Sequence, residues 1–266
     1  MVAHFCFFGK ENKVAFVNLR LTRGFFCIII KNVSIFVNKY FISIAFSCRL
    51  LYNNLNFFGG ELMTQKERME KGLVYYCADG EIMGDQLLCL EKMYDFNATR
   101  PLEGQKREAL LKEMFAEVGT GCYIEPPLHS NWGGKHTHLG DYVYANFNLT
   151  LVDDAHIYIG SRVMIGPNVV IATAGHPIDP ELRAKNTQYN VDVHIGDNAW
   201  IGAGCVILPG VTIGENSVIG AGSIVTKDIP ANVVAVGNPC RVIREIGERD
   251  KTYYFKDKKI DWENLI

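Results

Sequence analysis

The chain has 266 residues, of which 27 are Lys or Arg and 29 are Asp or Glu, so its formal net charge is −2. Hydrophobic residues make up 48% and charged residues 21%, which argues against a disordered or collagen-like chain and is typical of a globular protein of one large or two small domains. The near-neutral charge argues against nucleic-acid binding. The eight cysteines have no CxxC spacing, which argues against a zinc ribbon and predicts reduced thiols in a cytoplasmic protein.

The first 62 residues, called the leader segment below, differ in composition from the rest. They carry seven basic and two acidic residues, a charge of +5, whereas the remainder carries −7. Eleven of the fifteen Phe lie here, and Pro, Asp, Gln and Trp are missing. This change in composition predicts a domain boundary at Met63.

Three interpretations of the leader segment compete. A membrane anchor at residues 25–46 is interrupted by Lys31 and Lys39, and a Lys at mid-membrane costs about 2.5–3.5 kcal/mol. A signal peptide needs a basic start, an apolar core and a small-residue cleavage site, in that order, and no such order is present. The favoured interpretation is a translated leader outside the functional fold. Gly59-Gly60-Glu61 can be encoded by a purine-rich run that resembles a bacterial ribosome-binding site ahead of Met63.

Residues 63–123 are expected to form a small helical cap. Residues 64–67 have the spacing of a capping box, which predicts that a helix starts there. A second helical pattern runs from Asp85, and a third spans residues 103–118 and ends at Gly119. The apolar residues of the second and third patterns are Leu87, Leu88, Leu90, Tyr94, Leu110, Leu111, Met114, Phe115 and Val118.

Aliphatic residues then recur every six positions. They stand at Ile159, Ile165, Ile171, Ile195, Ile201, Ile207, Ile213, Ile219 and Val225. Glycine follows most of them, and small residues stand two positions before most of the later ones. A helix repeats every 3.6 residues and a strand every two, so a period of six predicts short straight sides joined by tight turns, with the aliphatic side chains stacked inward.

The six-residue period is interrupted between Ile171 and Ile195. The intervening residues 172–192 contain two Pro and many charges, which predicts an extruded loop. His176 lies at the base of this loop, between Gly175 and Pro177. An imidazole has the chemistry of a general base near neutral pH, although most histidines are not catalytic.

Six motifs in fixed order carry a resemblance to a known family. They are YANFNLTLVDD (144–154), GHP (175–177), NAWIG (198–202), PGVTIG (209–214), VIGAGSIVTKDIP (218–230) and GNPCRVIR (237–244). Together they resemble the maltose/galactoside (thiogalactoside) O-acetyltransferases, which are hexapeptide-repeat acyltransferases. The resemblance covers about residues 64–258. It implies a mainly β fold: a left-handed parallel β-helix at 124–244, preceded by the helical cap and followed by a tail at 245–266.

The resemblance also implies transfer of acetyl from acetyl-CoA to a sugar hydroxyl by a homotrimer, with acetyl-CoA bound between neighbouring coils. His176 matches the general base. The positions that match catalytic or acceptor-binding residues are Asn146 and Asp154, with Asn146 in both roles. Those that match cofactor-binding residues are Ala203, Ala221, Thr226, Lys227, Arg241 and Arg244. Trp132 is a further acceptor-binding candidate, because it lies where relatives often have an Asp or Ser that touches the acceptor. The chain departs from the family near Cys77 and at residues 129–134, which leaves the acceptor open. An asparagine ladder at a turn is the alternative role for Asn146.

Other classes of protein remain as alternatives. The same scaffold can acetylate a xenobiotic or an amino acid, and a β-helix can be purely structural. A γ-type carbonic anhydrase shares the fold but needs three zinc-binding histidines. His136 and His138 have no obvious third partner, so no metal is expected. No nucleic-acid or membrane partner is expected either.

Overall fold

The computed structural model describes residues 63–265 and, ahead of them, the backbone of three strands. These strands, Val2–Phe8 (β1), Val14–Thr22 (β2) and Phe25–Ile28 (β3), form an antiparallel sheet in the order β1-β2-β3. The chain divides into two units, Met1–Leu62 and Met63–Ile266. Residues 29–62 lie outside the described residues. They include most of the apolar stretch considered as an anchor and the Gly59-Gly60-Glu61 run. In the described part of the chain, no helix is long and apolar enough to cross a membrane.

The second unit begins with the helical cap. Its elements are Gln65–Glu70 (α1), Tyr75–Tyr76 (β4), Gly80–Asn97 (α2) and Gly104–Met114 (α3). The predicted capping box is confirmed: the Thr64 hydroxyl accepts from the Glu67 N–H at 3.1 Å, and the Glu67 carboxylate accepts from the Thr64 N–H at 2.7 Å.

The other two cap helices differ from their predicted bounds. Helix α2 starts before Asp85, because the Asp79 carboxylate accepts from the first-turn amide of Glu81 at 3.0 Å. Helix α3 ends at Met114, short of the predicted Val118, because Glu117–Val118 pairs with a strand of the next coil. The coils therefore begin at residue 117, inside the segment that the sequence assigned to the cap.

The remainder is a three-sided prism of short parallel strands. Face I contains Glu117–Val118 (β5), Thr137–Leu139 (β8), Ile157–Ile159 (β11), Val193–Ile195 (β16) and Thr212–Ile213 (β19). Face II contains Tyr123–Ile124 (β6), Tyr144–Ala145 (β9), Met164–Ile165 (β12), Trp200–Ile201 (β17), Val218–Ile219 (β20), Val233–Val236 (β22) and the antiparallel Arg241–Glu245 (β23). Face III contains Leu128–Ser130 (β7), Leu149–Val152 (β10), Val170–Ala172 (β13), Val206–Ile207 (β18) and Ile224–Val225 (β21).

The hexapeptide aliphatics form the core of the prism. Each stacks in register on its counterpart one coil away, as Ile165 does on Ile201. The nine aliphatics of the repeat are at most 3% exposed, and Leu111 and Phe115 of the cap join the same cluster. Glycine follows the aliphatic where coils pass closely; a Cβ on Gly202 would lie 2.5 Å from the Ala221 amide nitrogen. The predicted parallel β-helix of hexapeptide repeats, with a helical cap and an extruded loop, is confirmed.

The extruded loop is a hairpin attached to the cap. It contains Ala174–Gly175 (β14), Pro180–Arg183 (α4) and Thr187–Asn190 (β15), and β15 pairs with both β14 and the cap strand β4. After the last coil, the chain ends with Glu248–Thr252 (α5), Tyr253–Phe255 (β24), Lys258–Lys259 (β25) and a 3-10 turn at Trp262–Asn264.

Candidate active site

His176 is exposed on the hairpin loop, directly after β14. Its Nδ1 lies 2.8 Å from the backbone carbonyl oxygen of Thr187, on the opposing strand β15. A carbonyl oxygen only accepts, so Nδ1–H is the donor and the neutral ring presents an unprotonated Nε2. Gly175 fits beneath Tyr189, where a Cβ would lie 2.8 Å from the ring. The hairpin therefore fixes both the tautomer and the position of this imidazole.

Asp154 is 9% exposed and lies at the end of β10. Its carboxylate accepts hydrogen bonds from Asn131 Nδ2 at 2.8 Å, from Gln188 Nε2 at 3.1 Å and from Trp132 Nε1 at 3.4 Å. Trp132 is only 3% exposed, and its indole N–H is directed at this carboxylate. The sequence pointed to Asp154 and Trp132 separately, and the structure brings them together with Asn131.

Asp153 holds the turn that carries Trp132. Its fully buried carboxylate accepts from the Ser130 hydroxyl at 2.6 Å, from the Trp132 N–H at 2.8 Å and from the Gly134 N–H at 3.1 Å. Burial raises the pKa of Asp153, and these hydrogen bonds act in the opposite direction. Sequence reasoning missed this residue, although its place beside Asp154 was visible.

Three further buried polar residues of the cap and hairpin surround Asp154. Gln188 Nε2 lies 2.6 Å from the Tyr75 hydroxyl and 3.0 Å from Asn190 Oδ1. Asn190 Nδ2 donates to the Asp154 carbonyl oxygen at 3.0 Å. Burial raises the pKa of the Tyr75 phenol. Sequence reasoning missed all three, because their meeting depends on the pairing of β15 with β4, which no local pattern signals.

A cavity of about 410 Å³ adjoins Asp154. It lies between the end of α1 and the coils, and its lining includes Glu70, His136, His156 and Asp192. The volume falls in the range of roughly 300–1,000 Å³ that small-molecule sites occupy. Its lining is rich in hydrogen-bonding groups, which suits a polar ligand.

Asn146 lies at the turn that leads from face II to face III. Its side-chain oxygen accepts from the Phe147 N–H at 2.8 Å. The asparagine ladder considered for this residue is formed by its neighbour: Asn148, with a φ of 60°, donates to Asn168 at 3.1 Å.

Two of the predicted cofactor residues share the corner occupied by Asn146. Ala203 and Ala221 precede the face III strands β18 and β21, as Asn146 precedes β10. The positive-φ residue that follows each alanine is Gly204 or Gly222, with open space where a Cβ would stand. Along the last two coils, the Asn148–Asn168 ladder thus gives way to a corner without long side chains, which is called the corner groove below.

The remaining candidates on face III lie at the opposite corner. Asp154, His176, Thr226 and Lys227 all follow face III strands, and parallel strands all end at the same edge of a sheet. A three-residue strand at about 3.3 Å per residue separates the two corners by roughly 10 Å. In residues 63–265, no hydrogen bond joins His176 to Asn146 or to Asp154.

Arg241 and Arg244 lie on β23, at the C-terminal end of face II, where they pair with Val236 and Val234. Arg241 is exposed, and among residues 63–265 its guanidinium donates only to the Cys240 carbonyl oxygen, at 2.8 Å. Arg244 makes two hydrogen bonds to Asp250, at 2.7 and 2.8 Å, and lowers the pKa of that carboxyl to about 2. The carboxylate partner of Arg244 is therefore Asp250.

The histidines of residues 136–138 point to different partners. His136 Nδ1 lies 2.7 Å from the Asp153 carbonyl oxygen, whereas His138 Nε2 lies 3.0 Å from His156 Nδ1. Among residues 63–265, no group of three or more His, Cys, Asp or Glu is placed to hold a metal ion.

Comparison with known proteins gives matches to both halves of the second unit. Residues 68–119 match the maltose acetyltransferase hexapeptide capping motif, and residues 192–227 match the bacterial transferase hexapeptide (six repeats). The galactoside O-acetyltransferase of Lactococcus lactis is 50% identical over 200 residues, which span 75% of this chain and 97% of that protein. The Escherichia coli galactoside O-acetyltransferase is 58% identical over 169 residues, which span 64% of this chain and 83% of that protein.

Solved structures agree with these matches. A galactoside acetyltransferase in complex with coenzyme A superposes with a TM-score of 0.72 at 52% identity, over 75% of this chain and all of that one. A maltose O-acetyltransferase from Clostridium difficile superposes with a TM-score of 0.68 at 46% identity, over 71% of this chain and all of that one. The chain therefore belongs to the maltose/galactoside O-acetyltransferase family of hexapeptide-repeat acyltransferases.

Proposed function

We propose that this protein transfers the acetyl group of acetyl-CoA to a hydroxyl of a sugar, with His176 as the general base. The observation that carries the catalytic assignment is the hydrogen bond from His176 Nδ1 to the Thr187 carbonyl oxygen, because it leaves Nε2 free to accept a proton. The substrates follow from the galactoside and maltose acetyltransferases that the chain resembles.

The reaction requires a base because a neutral hydroxyl is a poor nucleophile. As the sugar oxygen attacks the thioester carbonyl carbon, Nε2 takes its proton, and negative charge develops on the carbonyl oxygen. When the C–S bond breaks, the imidazolium returns that proton to the departing thiolate, which leaves as CoA. The Ala203 N–H is the proposed donor to the developing oxyanion. In the described coils it has no backbone partner, whereas Gly202 and Gly204 on either side donate to neighbouring coils.

The corner groove is the proposed place of the pantetheine arm. Ala203 and Ala221 are exposed there, and neither they nor the following glycines carry a side chain that would block a narrow chain. Arg241 and Lys227 are exposed cations suited to the CoA phosphates, and the Thr226 hydroxyl can hydrogen-bond the arm. Asp154 and its adjoining cavity are the proposed acceptor site, since a carboxylate accepts hydrogen bonds from sugar hydroxyls. The five free thiols of residues 63–265 support a cytoplasmic location.

A homotrimer is the proposed assembly. The candidate residues lie on two corners of one prism, so a second copy is needed to place the groove of one chain beside the base of another. An exposed apolar row on face II supports association: Tyr144, Met164 and Trp200 are adjacent in register and 39%, 51% and 52% exposed. Light scattering should give about three times the subunit mass, and a fully active monomer would contradict this assembly.

An acceptor screen with labelled acetyl-CoA tests the proposed reaction. Acetylation of one or more sugars is expected, and His176→Ala should lower the rate at saturating substrate by about 10²–10⁴ while acetyl-CoA binding by calorimetry stays unchanged. His194→Ala, on an exposed histidine of face I, is the control and should keep the wild-type rate. Near-normal turnover by His176→Ala would show that the base is another group, and acetylation of only non-sugar hydroxyls would favour the xenobiotic or amino-acid alternative.

A further inference from the structure

Strand β15 connects the two halves of the candidate site through adjacent residues. The Thr187 carbonyl oxygen holds the His176 imidazole, and the next side chain, Gln188, donates to the Asp154 carboxylate. The same strand pairs with the cap, where Gln188 stands opposite Tyr75. A shift of this strand would therefore move the base and release the carboxylate together.

The chemistry of the groups fixes the orientation of the Gln188 amide. A carboxylate only accepts hydrogen bonds, so the amide nitrogen rather than the amide oxygen must face Asp154. The side chain is 8% exposed and its nitrogen is 2.6 Å from the Tyr75 hydroxyl. Tyr75 is itself 2% exposed, so neither side chain has water as a ready substitute partner.

The hydrogen bonds of Asp154 leave room for one more donor. A carboxylate has about four acceptor positions, and Asn131, Trp132 and Gln188 occupy three of them. All three protein donors are anchored: Asn131 by its backbone N–H to the Leu151 carbonyl oxygen, Trp132 through Asp153, and Gln188 through the cap. The direction of the free position is consequently set by the protein, before any substrate arrives.

We propose that Gln188, anchored by Tyr75, is a positioning residue that aims the remaining acceptor position of Asp154 at a hydroxyl of the acceptor. This inference rests on the proposed function, in which Asp154 binds the acceptor. It adds that a residue of the base-carrying hairpin sets acceptor affinity, and that a cap tyrosine supports it.

Replacement of Gln188 by Met tests the role through a comparison of Michaelis constants. Met is similar in length but cannot donate, so the KM for the acceptor should rise by about 10- to 100-fold, the range for loss of a hydrogen bond to a charged group. The KM for acetyl-CoA should stay unchanged. An acceptor KM within twofold of wild type, or an equal rise in both constants, would overturn the proposal.

Replacement of Gln188 by Glu adds a readout that a purely structural role would not produce. Two carboxylates in contact raise the pKa of the pair, and only the protonated form can donate to Asp154. Asp154 and Tyr75 are the titratable groups that contact this position. The ratio of variant to wild-type kcat/KM for the acceptor should therefore rise as pH falls from about 8 to about 5. For Gln188→Met this ratio should not change with pH, because Met has no group that titrates. A ratio for Gln188→Glu that stays constant with pH would contradict the hydrogen bond to Asp154.

The two tyrosines of β4 form a matched pair for the supporting role. Tyr75→Phe removes only the buried hydroxyl and should raise the acceptor KM, whereas Tyr76→Phe, on the exposed side of the strand, should not. Equal effects of the two substitutions would overturn the role of Tyr75. If the wild-type protein acetylates no acceptor, the proposed function fails. The Gln188–Asp154 contact is then tested by melting temperature. The melting temperature of Gln188→Glu should rise relative to that of the wild type as the pH falls. A difference that stays constant with pH would refute the contact.

Discussion

The basic side chains assigned to acetyl-CoA differ in what they already contact. Lys227 and Arg241 are exposed and make no salt bridge within residues 63–265, whereas Arg244 is engaged by Asp250. An exposed ion pair contributes little to stability, but it holds the guanidinium in a defined place. The three residues should therefore respond differently to substitution, even though the sequence assigned them one role.

Lys227→Ala should raise the KM for acetyl-CoA and leave kcat nearly unchanged. The reason is that a charge contact to a CoA phosphate is present in the ground state and the transition state alike, so its loss weakens binding uniformly. Steady-state kinetics with varied acetyl-CoA measures the effect. Lys112→Ala, which removes a cation paired with Glu108 on the surface of α3, is the control. A fall in kcat with unchanged KM would place Lys227 in the chemical step instead.

Asp250→Asn should lower the KM for acetyl-CoA if Arg244 serves the phosphates. In the wild-type protein, a CoA phosphate must displace the Asp250 carboxylate from the Arg244 guanidinium. Removal of that carboxylate leaves the guanidinium available for the phosphate. The pKa of Asp250 is lowered to about 2, so the pair contributes stability in full above the ordinary Asp pKa and loses it only as pH falls through about 2. Competition between Asp250 and phosphate therefore persists at neutral pH. An unchanged KM with a lowered melting temperature would show that Arg244 is structural.

The coil corners depend on glycine because neighbouring backbones approach closely. A Cβ on Gly202 would lie 2.5 Å from the Ala221 nitrogen, so Gly202→Ala must push two coils apart and should destabilise by about 1–3 kcal/mol, as overpacking does. Gly84→Ala is the matched control. Gly84 lies inside α2 with open space around its Cβ position, so Ala should stabilise there by about 1 kcal/mol through helix propensity. Denaturant unfolding of both variants measures the difference, and equal effects would contradict the close approach.

The elements that the sequence predicted are those whose pattern is local. The six-residue period placed the coils from Ile159 onward, because each aliphatic meets its counterpart in the same register. The first strand of the first coil was missed: Val118 continues the apolar face of α3, and only its pairing with β8 makes it a strand. The candidate base, His176, was noticed because it lies in the loop that interrupts a strict six-residue period.

Other site residues could not be predicted from the sequence, because they meet through contacts between distant parts of the chain. Gln188 and Tyr75 are 113 positions apart, and they meet only because the hairpin pairs with the cap. In the same way, the separation of Asn146 and His176 onto different corners depends on which ends of the face III strands carry them. Motifs identified both residues but carried no information on their distance.

At the scale of the whole molecule, the candidate site residues divide between two corners of one prism. The groove lies where face III strands begin and the base lies where they end, so a trimer would place three composite sites between neighbouring chains. A mixing experiment tests this. Trimers that combine Ala203→Arg chains, which block the groove, with His176→Ala chains should regain part of the wild-type activity, because some interfaces pair an intact groove with an intact base. Mixtures with no activity beyond that of either variant would place the groove and base of each site in one chain.

Removal of residues 1–62 should leave the fold and activity of the remaining 204 residues intact. All the candidate site residues and the whole hydrophobic core of the prism belong to the unit Met63–Ile266. That unit carries a charge of −7, which favours solubility, and the leader segment carries +5. The melting temperature, the number of subunits in solution and the kcat of the shortened chain should match those of the full chain. Mass spectrometry of the protein from its native source should show Met63 at its N-terminus, and peptides from residues 1–62 in that material would contradict the leader interpretation.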